Sequence, residues 1–282
     1  MNQSILFTFL LIKFQLVLLE ELCYVNKARM IGGRPCPTKQ FNFVLQLQGT
    51  LQDGKMSKCA AYLIEPTWAL TAAHCKTPGA TDFQIIAPAS TEPINVTVKK
   101  FHIHPKWKND TIDTKLLNDI ALLKLDKPLD DKSGFVTLPS ADTSKRYCKE
   151  GLGTTVGFRQ ERILELMCGN LKLMGFTVCQ DKLKNIVINR KHHICSFSPY
   201  LQMEQCDSGG PLFCANVLVG LGTFLPRTKD KPAVYTKVQN HLKFIRQLVD
   251  SAEFDTSRSI DFSHSKTVYG CFVFNLVVFV FF

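Results

Sequence analysis

Short apolar runs with a period of two fill the middle of the chain. Phe43-Val44-Leu45-Gln46-Leu47 and Ile120-Ala121-Leu122-Leu123-Lys124-Leu125 are of this kind, and clusters of Pro, Gly, Asn and Asp separate such runs. Side chains of a strand point alternately to opposite faces, so the pattern specifies half-buried strands joined by turns. The expected class is all-β, a sandwich or a barrel. One helix is expected at about 239–252. There Val238, Leu242, Ile245 and Leu248/Val249 recur at three- and four-residue spacing, opposite Lys243, Arg246 and Gln247. Ser133 to Asp142 is the best candidate linker between two halves. With 282 residues, 45% hydrophobic and 21% charged, the chain is one large domain or two small ones. That composition excludes collagen, coiled coil and global disorder.

Eleven cysteines point to an oxidising compartment. The N-terminus agrees. Ile5 to Leu19 is apolar but for Thr8, Lys13 and Gln15, and Glu20-Glu21 ends the run, as in a secretory signal over 1–22. A buried strand or helix is the alternative. At the other end, polar Ser251 to Lys266 leads to an apolar run from Val268 to Phe282. A small residue, a polar spacer and a terminal hydrophobic tail form the layout of a GPI-attachment signal, with Ser257 the preferred attachment point. The alternatives are a tail packed on the domain and a short anchor kept in the mature chain. Asn95-Val96-Thr97 and Asn109-Asp110-Thr111 are glycosylation sequons, which makes Asn95 and Asn109 acceptor candidates.

Three motifs carry chemistry. Thr71-Ala72-Ala73-His74-Cys75 sets a histidine beside a cysteine that can anchor it, and Asn118-Asp119-Ile120 sets an acid just before an apolar strand. Cys206-Asp207-Ser208-Gly209-Gly210-Pro211 sets a serine in a glycine-flanked turn. A serine hydroxyl is a poor nucleophile until a base takes its proton. A neutral imidazole does so near pH 7, and a buried carboxylate fixes its tautomer. The chain order is His, Asp, Ser.

On these motifs the chain resembles the trypsin/chymotrypsin-like serine proteases over about Met30 to Asp250. The resemblance implies two six-stranded antiparallel β-barrels, at about 30–135 and 140–238, followed by the C-terminal α-helix. It makes His74 the general base, Asp119 its orienting acid and Ser208 the nucleophile, with the N–H groups of Cys206 and Ser208 as the oxyanion hole. It makes 23–29 a short propeptide, with Arg29 before the cleavage point. The freed Met30 ammonium would then pair with buried Asp207, because a buried carboxylate without a partner is costly. A polar turn is the alternative for Lys27 to Arg29. Eight cysteines alone allow 105 pairings. The resemblance implies Cys36–Cys168, Cys59–Cys75, Cys148–Cys214 and Cys179–Cys195, and leaves Cys23, Cys206 and Cys271 over. Neither Glu204 nor the loop of Leu225 to Asp230 supplies the bridge that often joins the walls of the primary pocket, as in granzyme-like and chymase-like members.

The chain also departs from the family. Cys206 stands for the glycine two before the nucleophile, so a β-carbon strains a turn that donates to the oxyanion. One such donor contributes about 2.7–4 kcal/mol to transition-state stabilisation. Ala60-Ala61 stands for a glycine pair near the leaving side of the substrate. Gly151-Leu152-Gly153 is near where Gly-Trp-Gly is usual, and Gly157-Phe158 is a competing match. The substrate pocket falls to Gln202 at its base, Thr223, Phe224 and Leu225 along the strand, and Ala233 on the far wall. Gln202 cannot pair with a basic side chain as a carboxylate does, and Leu225 and Ala233 replace glycines. The expected preference is for a small or apolar residue before the scissile bond, and a closed pocket is the alternative.

The resemblance implies a secreted or cell-surface endopeptidase made as a zymogen. Its partners would be a protein or peptide substrate, an activating trypsin-like protease and a serpin-type inhibitor, with membrane attachment through the tail. The competing reading is a protease-fold binding protein with little catalysis. The net charge of +10 is read as a solvated basic surface. Lys99-Lys100, Lys106, Lys108 and Arg190-Lys191 are candidates for glycosaminoglycan binding. No nucleic-acid partner, cofactor or metal cluster is expected.

Overall fold

Among the described residues the alternating runs fold into fifteen strands, β1–β15. The computed structural model describes residues 30–37, 40–87, 94–129, 134–142, 147–148, 151–160, 164–203, 207–226 and 231–250. The expected leader and propeptide with Arg29, the tail from 251 with Ser257, and Glu204 and Cys206 lie outside them, as do Cys23 and Cys271; of Gln202 only the backbone is described.

The first closed barrel joins β3 (Val44–Thr50), β4 (Met56–Glu65), β5 (Trp68–Thr71), β6 (Thr81–Ala87), β7 (Ile94–Ile103) and β8 (Ala121–Leu125), in the order β3-β4-β5-β8-β7-β6. Odd-numbered residues fill its core: Leu45, Leu47, Ala61, Leu63, Ile85 and Leu123 are buried in one cluster. The register Leu45↔Ala61 and Leu47↔Cys59 sets these side chains opposite one another on the inner face. Even-numbered Gln46, Ala60 and Tyr62 are buried as well. They face the other way, so that face is also covered.

The second barrel joins β9 (Leu152–Gln160), β10 (Leu164–Met174), β11 (His193–Phe197), β13 (Pro211–Cys214), β14 (Val217–Phe224) and β15 (Ala233–Lys237). The order is β11-β15-β14-β13-β9-β10, and β10 pairs back to β11 to close it.

Residues 30–36 belong with this second barrel and not with the first, where the sequence places them. β1 (Met30–Ile31) pairs with β12 (Gln202–Met203), and β2 (Arg34–Pro35) pairs with β10. The physical reason is covalent and main-chain at once. Cys36 is bonded to Cys168, and its N–H donates to Leu166 O at 2.9 Å. Within the linker, the Val136 N–H reaches Leu63 O and Thr137 O accepts from Leu218 N–H, so the segment is tied to both barrels.

Among the described residues, two short helices lie between strands. α1 (Ile112–Leu116) starts at Thr111, whose side chain accepts the Thr114 N–H, and α2 (Phe176–Leu183) buries Cys179 and Leu183. The C-terminal unit, from Lys243, is described over residues 243–250, within a helix of 242–250. It begins later than the periodicity suggests, because Val238–His241 forms a 3-10 turn.

Candidate active site

His74 sits in a 3-10 turn, Ala73–Cys75, that directly follows β5. The turn is held by the Cys59–Cys75 disulfide, which ties it to β4. The sulfurs of Cys59 and Cys75 lie close to His74, but they are bonded to each other and offer no thiolate to a metal.

Asp119 immediately precedes the apolar residues that lead into β8, and it is fully buried. Asn118 before it has φ +56, an uncommon conformation that asparagine tolerates best after glycine. The carboxylate accepts three hydrogen bonds. The His74 backbone N–H reaches Oδ1 at 2.9 Å, His74 Nδ1 lies 2.6 Å from Oδ2, and the Thr223 hydroxyl donates to Oδ2 at 2.5 Å. A buried charge is stable only when satisfied in this way. An ionised carboxylate only accepts, so the proton of the neutral imidazole sits on Nδ1 and Nε2 is left as a base. The His74 side chain keeps 15% of its exposure while Asp119 keeps none, so the pair is reachable only through the imidazole.

Ser208 stands in a turn clamped on both sides. Gly210 N–H donates to Asp207 O at 2.7 Å, and Gly209 N–H to Gly222 O at 3.0 Å. The Ala60 N–H donates to Ser208 O at 2.8 Å, and the Tyr62 hydroxyl to Gly209 O at 2.7 Å. Ala60 follows Cys59, whose disulfide partner follows His74, so the serine turn and the imidazole are anchored to the same piece of β4. Gly209 has φ +74, and a β-carbon there would lie 2.9 Å from Ala60 O and 3.5 Å from Cys75 Sγ. Only glycine fits that close approach.

Asp207 is buried with 1% exposure. The Phe158 N–H approaches its Oδ1 at 3.5 Å. A β-carbon on Gly157 would fall 2.8 Å from Asp207 Oδ1 and 3.0 Å from Met30 Cε. Gly157-Phe158, not Gly151-Leu152-Gly153, is thus the pair that packs on this acid. Met30 is buried in the core of the second barrel. Burial, followed by the nearby charge of Asp207, pushes the Tyr62 phenol well above its usual range. Burial also raises Tyr235 to about 12, and Asp207 adds to the rise.

The residues expected to line the pocket have these neighbours. Thr223 is committed to Asp119. Phe224 packs on the cluster of Leu116, Cys179 and Val234. Leu225 is half-buried, and its Cδ2 would lie 3.3 Å from a β-carbon on Gly222. Ala233 is half-buried against the Met30 cluster, and the Gln202 backbone pairs with Ile31. Ala60 and Ala61 are both buried, so their methyl groups do not line an open groove. Among the described residues, disulfides join Cys36–Cys168, Cys59–Cys75, Cys148–Cys214 and Cys179–Cys195. Asn95 and Asn109 are exposed.

Sequence reasoning missed Tyr62, which looks like an ordinary strand residue, and the role of Thr223 as a partner of the acid. The signal for Tyr62 was a phenol among small and aliphatic neighbours, since a buried Tyr needs a partner for its hydroxyl.

A family model described as Trypsin matches residues 30–245. Trypsin-4 of Rattus norvegicus is 26% identical over 231 residues, covering 78% of this chain and 89% of that protein. Kallikrein-7 of Homo sapiens is 30% identical over 230 residues, covering 77% and 86%. A solved structure described as "Structure of GrC" superposes with a TM-score of 0.67 at 22% identity, over 78% of this chain and 99% of that one.

Proposed function

The chain belongs to the trypsin family, and on that premise we propose that it is a serine endopeptidase acting through an acyl-enzyme. In this reading His74 takes the proton of Ser208 through Nε2, Asp119 holds the imidazole and stabilises its charged form, and the freed oxygen attacks the peptide carbonyl. The N–H groups of Ser208 and Cys206 receive the developing oxyanion. The observation that carries the reading is the clamp of Asp119 on both N–H groups of His74.

Secretion, glycosylation at Asn95 and Asn109, and a tail that attaches the chain to the cell surface by GPI belong to the same proposal. So does synthesis as a zymogen. A trypsin-like protease would cut after Arg29, and the new Met30 ammonium would meet Asp207. Met30 and Asp207 bordering the same glycine supports this step. The neutral Gln202 and the bulk of Leu225 and Ala233 favour small or apolar residues before the scissile bond, and a serpin-type inhibitor would present such a residue.

A fluorophosphonate probe applied to the Arg29-cleaved protein tests the chemistry. Labelling of Ser208, lost in Ser208→Ala, is expected, and a folded sample that stays unlabelled ends the proposal. Cleavage of a peptide library then reads the pocket.

Cys206 favours a second reading, a protease-fold binding protein with an impaired oxyanion site. Cys206→Gly separates the two. A hundred-fold gain in peptide hydrolysis from a near-zero start supports impairment, and unchanged activity from a measurable start supports the peptidase.

A further inference from the structure

Basic residues at 99–100, 106–108 and 190–191 are far apart in sequence, and the fold joins them into one stripe. β7 carries its first part. The register of β7 with β8 shifts between Val98, opposite Leu125, and Lys100, opposite Lys124. Lys99 is the extra residue of this bulge, so two successive lysines are exposed where strict alternation would turn one inward. Beyond the bulge, residues two apart share a face at a spacing of roughly 6.6 Å. Lys100 and His102 follow one another there. Lys124 stands beside them, its ammonium 4.6 Å from the centroid of the Trp68 ring, on which His102 also packs. His104 comes next, and its N–H donates to Ile120 O at 3.1 Å, which extends the ladder between the two strands.

At His104 the stripe crosses to the second barrel. The His104 ring meets His241 at 5.2 Å, and His241 meets His192 at 6.3 Å. Lys106 and Lys108 lie in the turn after His104, with the Lys106 N–H donating to His104 Nδ1 at 3.2 Å. On the other side, His192 brings Arg190 and Lys191 with it. Lys237 N–H donates to His192 O at 2.8 Å, and Lys237 Nζ to Arg190 O at 2.7 Å. Lys106, Lys108, Arg190 and Lys191 are all exposed.

Among the described residues, none of Lys99, Lys100, Lys106, Lys108, Arg190 and Lys191 is in an ion pair. The acids closest to Lys108 in sequence are Asp110 and Asp113, and Asp113 Oδ1 already accepts the Val187 N–H at 2.9 Å. The cations act on one another instead. Burial, followed by Lys100 and Lys124, holds His102 below its ordinary value. Burial, followed by Lys106 and His192, does the same to His104, and burial, followed by Lys191 and Lys237, to His192. Like charges held side by side disfavour one another, and a bound anion relieves that cost.

We propose that this stripe, from Lys124 and Lys100 past His104 to Arg190 and Lys191, binds a linear sulfated polysaccharide. Cations set along a strand and continued on a second barrel match a ligand whose anionic groups recur along a line, and a single small anion could meet only one end of them. Release of the counterions of such a polymer supplies affinity without a pocket. The disulfides suit an oxidising compartment, which favours a polysaccharide over a nucleic acid. Neither His74 nor Ser208 takes part, so the proposal stands apart from the peptidase reading.

The test is titration of the full chain with a heparin dodecasaccharide at about 0.15 M salt. The chain carries Ser208→Ala, and Asn109→Gln so that a glycan at that sequon cannot cover Lys108. Saturable binding of micromolar affinity is expected, weakening steeply as salt rises. The pairs Lys99→Gln with Lys100→Gln, and Lys106→Gln with Lys191→Gln, should each weaken it by about ten-fold and lower the slope of log K on log salt by about one to two. Lys172→Gln with Lys182→Gln removes as much charge around Phe197 and should change it by less than about three-fold. A disaccharide, too short to span both barrels, should bind at least about ten-fold more weakly than the dodecasaccharide. Equal weakening by the Lys172 and Lys182 pair would reduce the effect to net charge and overturn the stripe. Absence of saturable heparin binding, or tighter capture by phosphatidylserine vesicles or single-stranded DNA, overturns the polysaccharide.

Discussion

The Tyr62 hydroxyl donates to the Gly209 carbonyl at 2.7 Å, a bond from a strand of the first barrel to the turn that carries Ser208. Tyr62 is fully buried, and its ring meets Phe213 edge-on at 6.3 Å. Replacing it by Phe keeps the packing and leaves a buried carbonyl short of a donor. The expected cost is about 1–3 kcal/mol of stability, read by urea unfolding. The turn that aims Ser208 also loosens, so kcat of Tyr62→Phe should fall by about ten-fold with KM little changed. A loss confined to KM would mean that the bond serves substrate binding and not the nucleophile.

The same buried phenols set an alkaline limit. Burial holds Tyr62 well above its ordinary value and Tyr235 at about 12. In the unfolded chain both ionise near pH 10. Between about pH 10 and 12 the unfolded chain therefore binds fewer protons than the native one, and stability falls as pH rises. Below pH 10 both states keep these protons and the tyrosines contribute no slope. Urea midpoints measured from neutral pH to 11 should stay level in this respect and then drop, and Tyr62→Phe should drop less steeply.

The motifs around His74, Asp119 and Ser208 were legible because each is contiguous, and the glycine-flanked serine demands a particular turn. What escaped the sequence depends on pairing across long separations. Tyr62 finds its acceptor on Gly209, and Thr223 finds Asp119, only after both barrels close. Nothing in the hydrophobic pattern says that Met30 to Cys36 joins the second barrel, because period two says nothing about a partner. Gly151-Leu152-Gly153 and Gly157-Phe158 competed to match the usual Gly-Trp-Gly, and only the second lies beside Asp207. The register Met167↔Gly157 is set across the barrel, beyond the reach of local spacing.

Thr223 gives Asp119 its third hydrogen bond, and the size of its effect distinguishes orientation from charge. Asp119→Asn keeps the shape but lets the imidazole take the wrong tautomer, and about 10⁴-fold in kcat is the loss seen when this carboxylate is replaced in the Ser-His-Asp template. Thr223→Val removes one donor and leaves both His74 contacts, so roughly ten-fold is expected, and Thr223→Ser should restore most of it. Steady-state hydrolysis by the Arg29-cleaved protein measures all three. A Thr223→Val loss as large as that of Asp119→Asn would show that the hydroxyl, and not the histidine clamp, fixes the acid.

Gly157 tests the activation step. A β-carbon at this position would lie 2.8 Å from Asp207 Oδ1 and 3.0 Å from Met30 Cε. Gly157→Ala thus crowds the acid and the Met30 side chain together, and overpacking of this kind costs about 1–3 kcal/mol. If the Met30 ammonium pairs with Asp207 after cleavage, the cut protein gains a contact that the uncut chain lacks, and cutting after Arg29 should raise Tm by several degrees. In Gly157→Ala that gain should shrink, because the added methyl group crowds the acid that the freed ammonium has to reach. Differential scanning calorimetry of cut protein beside an Arg29→Gln chain that cannot be cut gives the four values. Equal losses in both forms would place the crowding in the barrel itself and remove Gly157 from the switch.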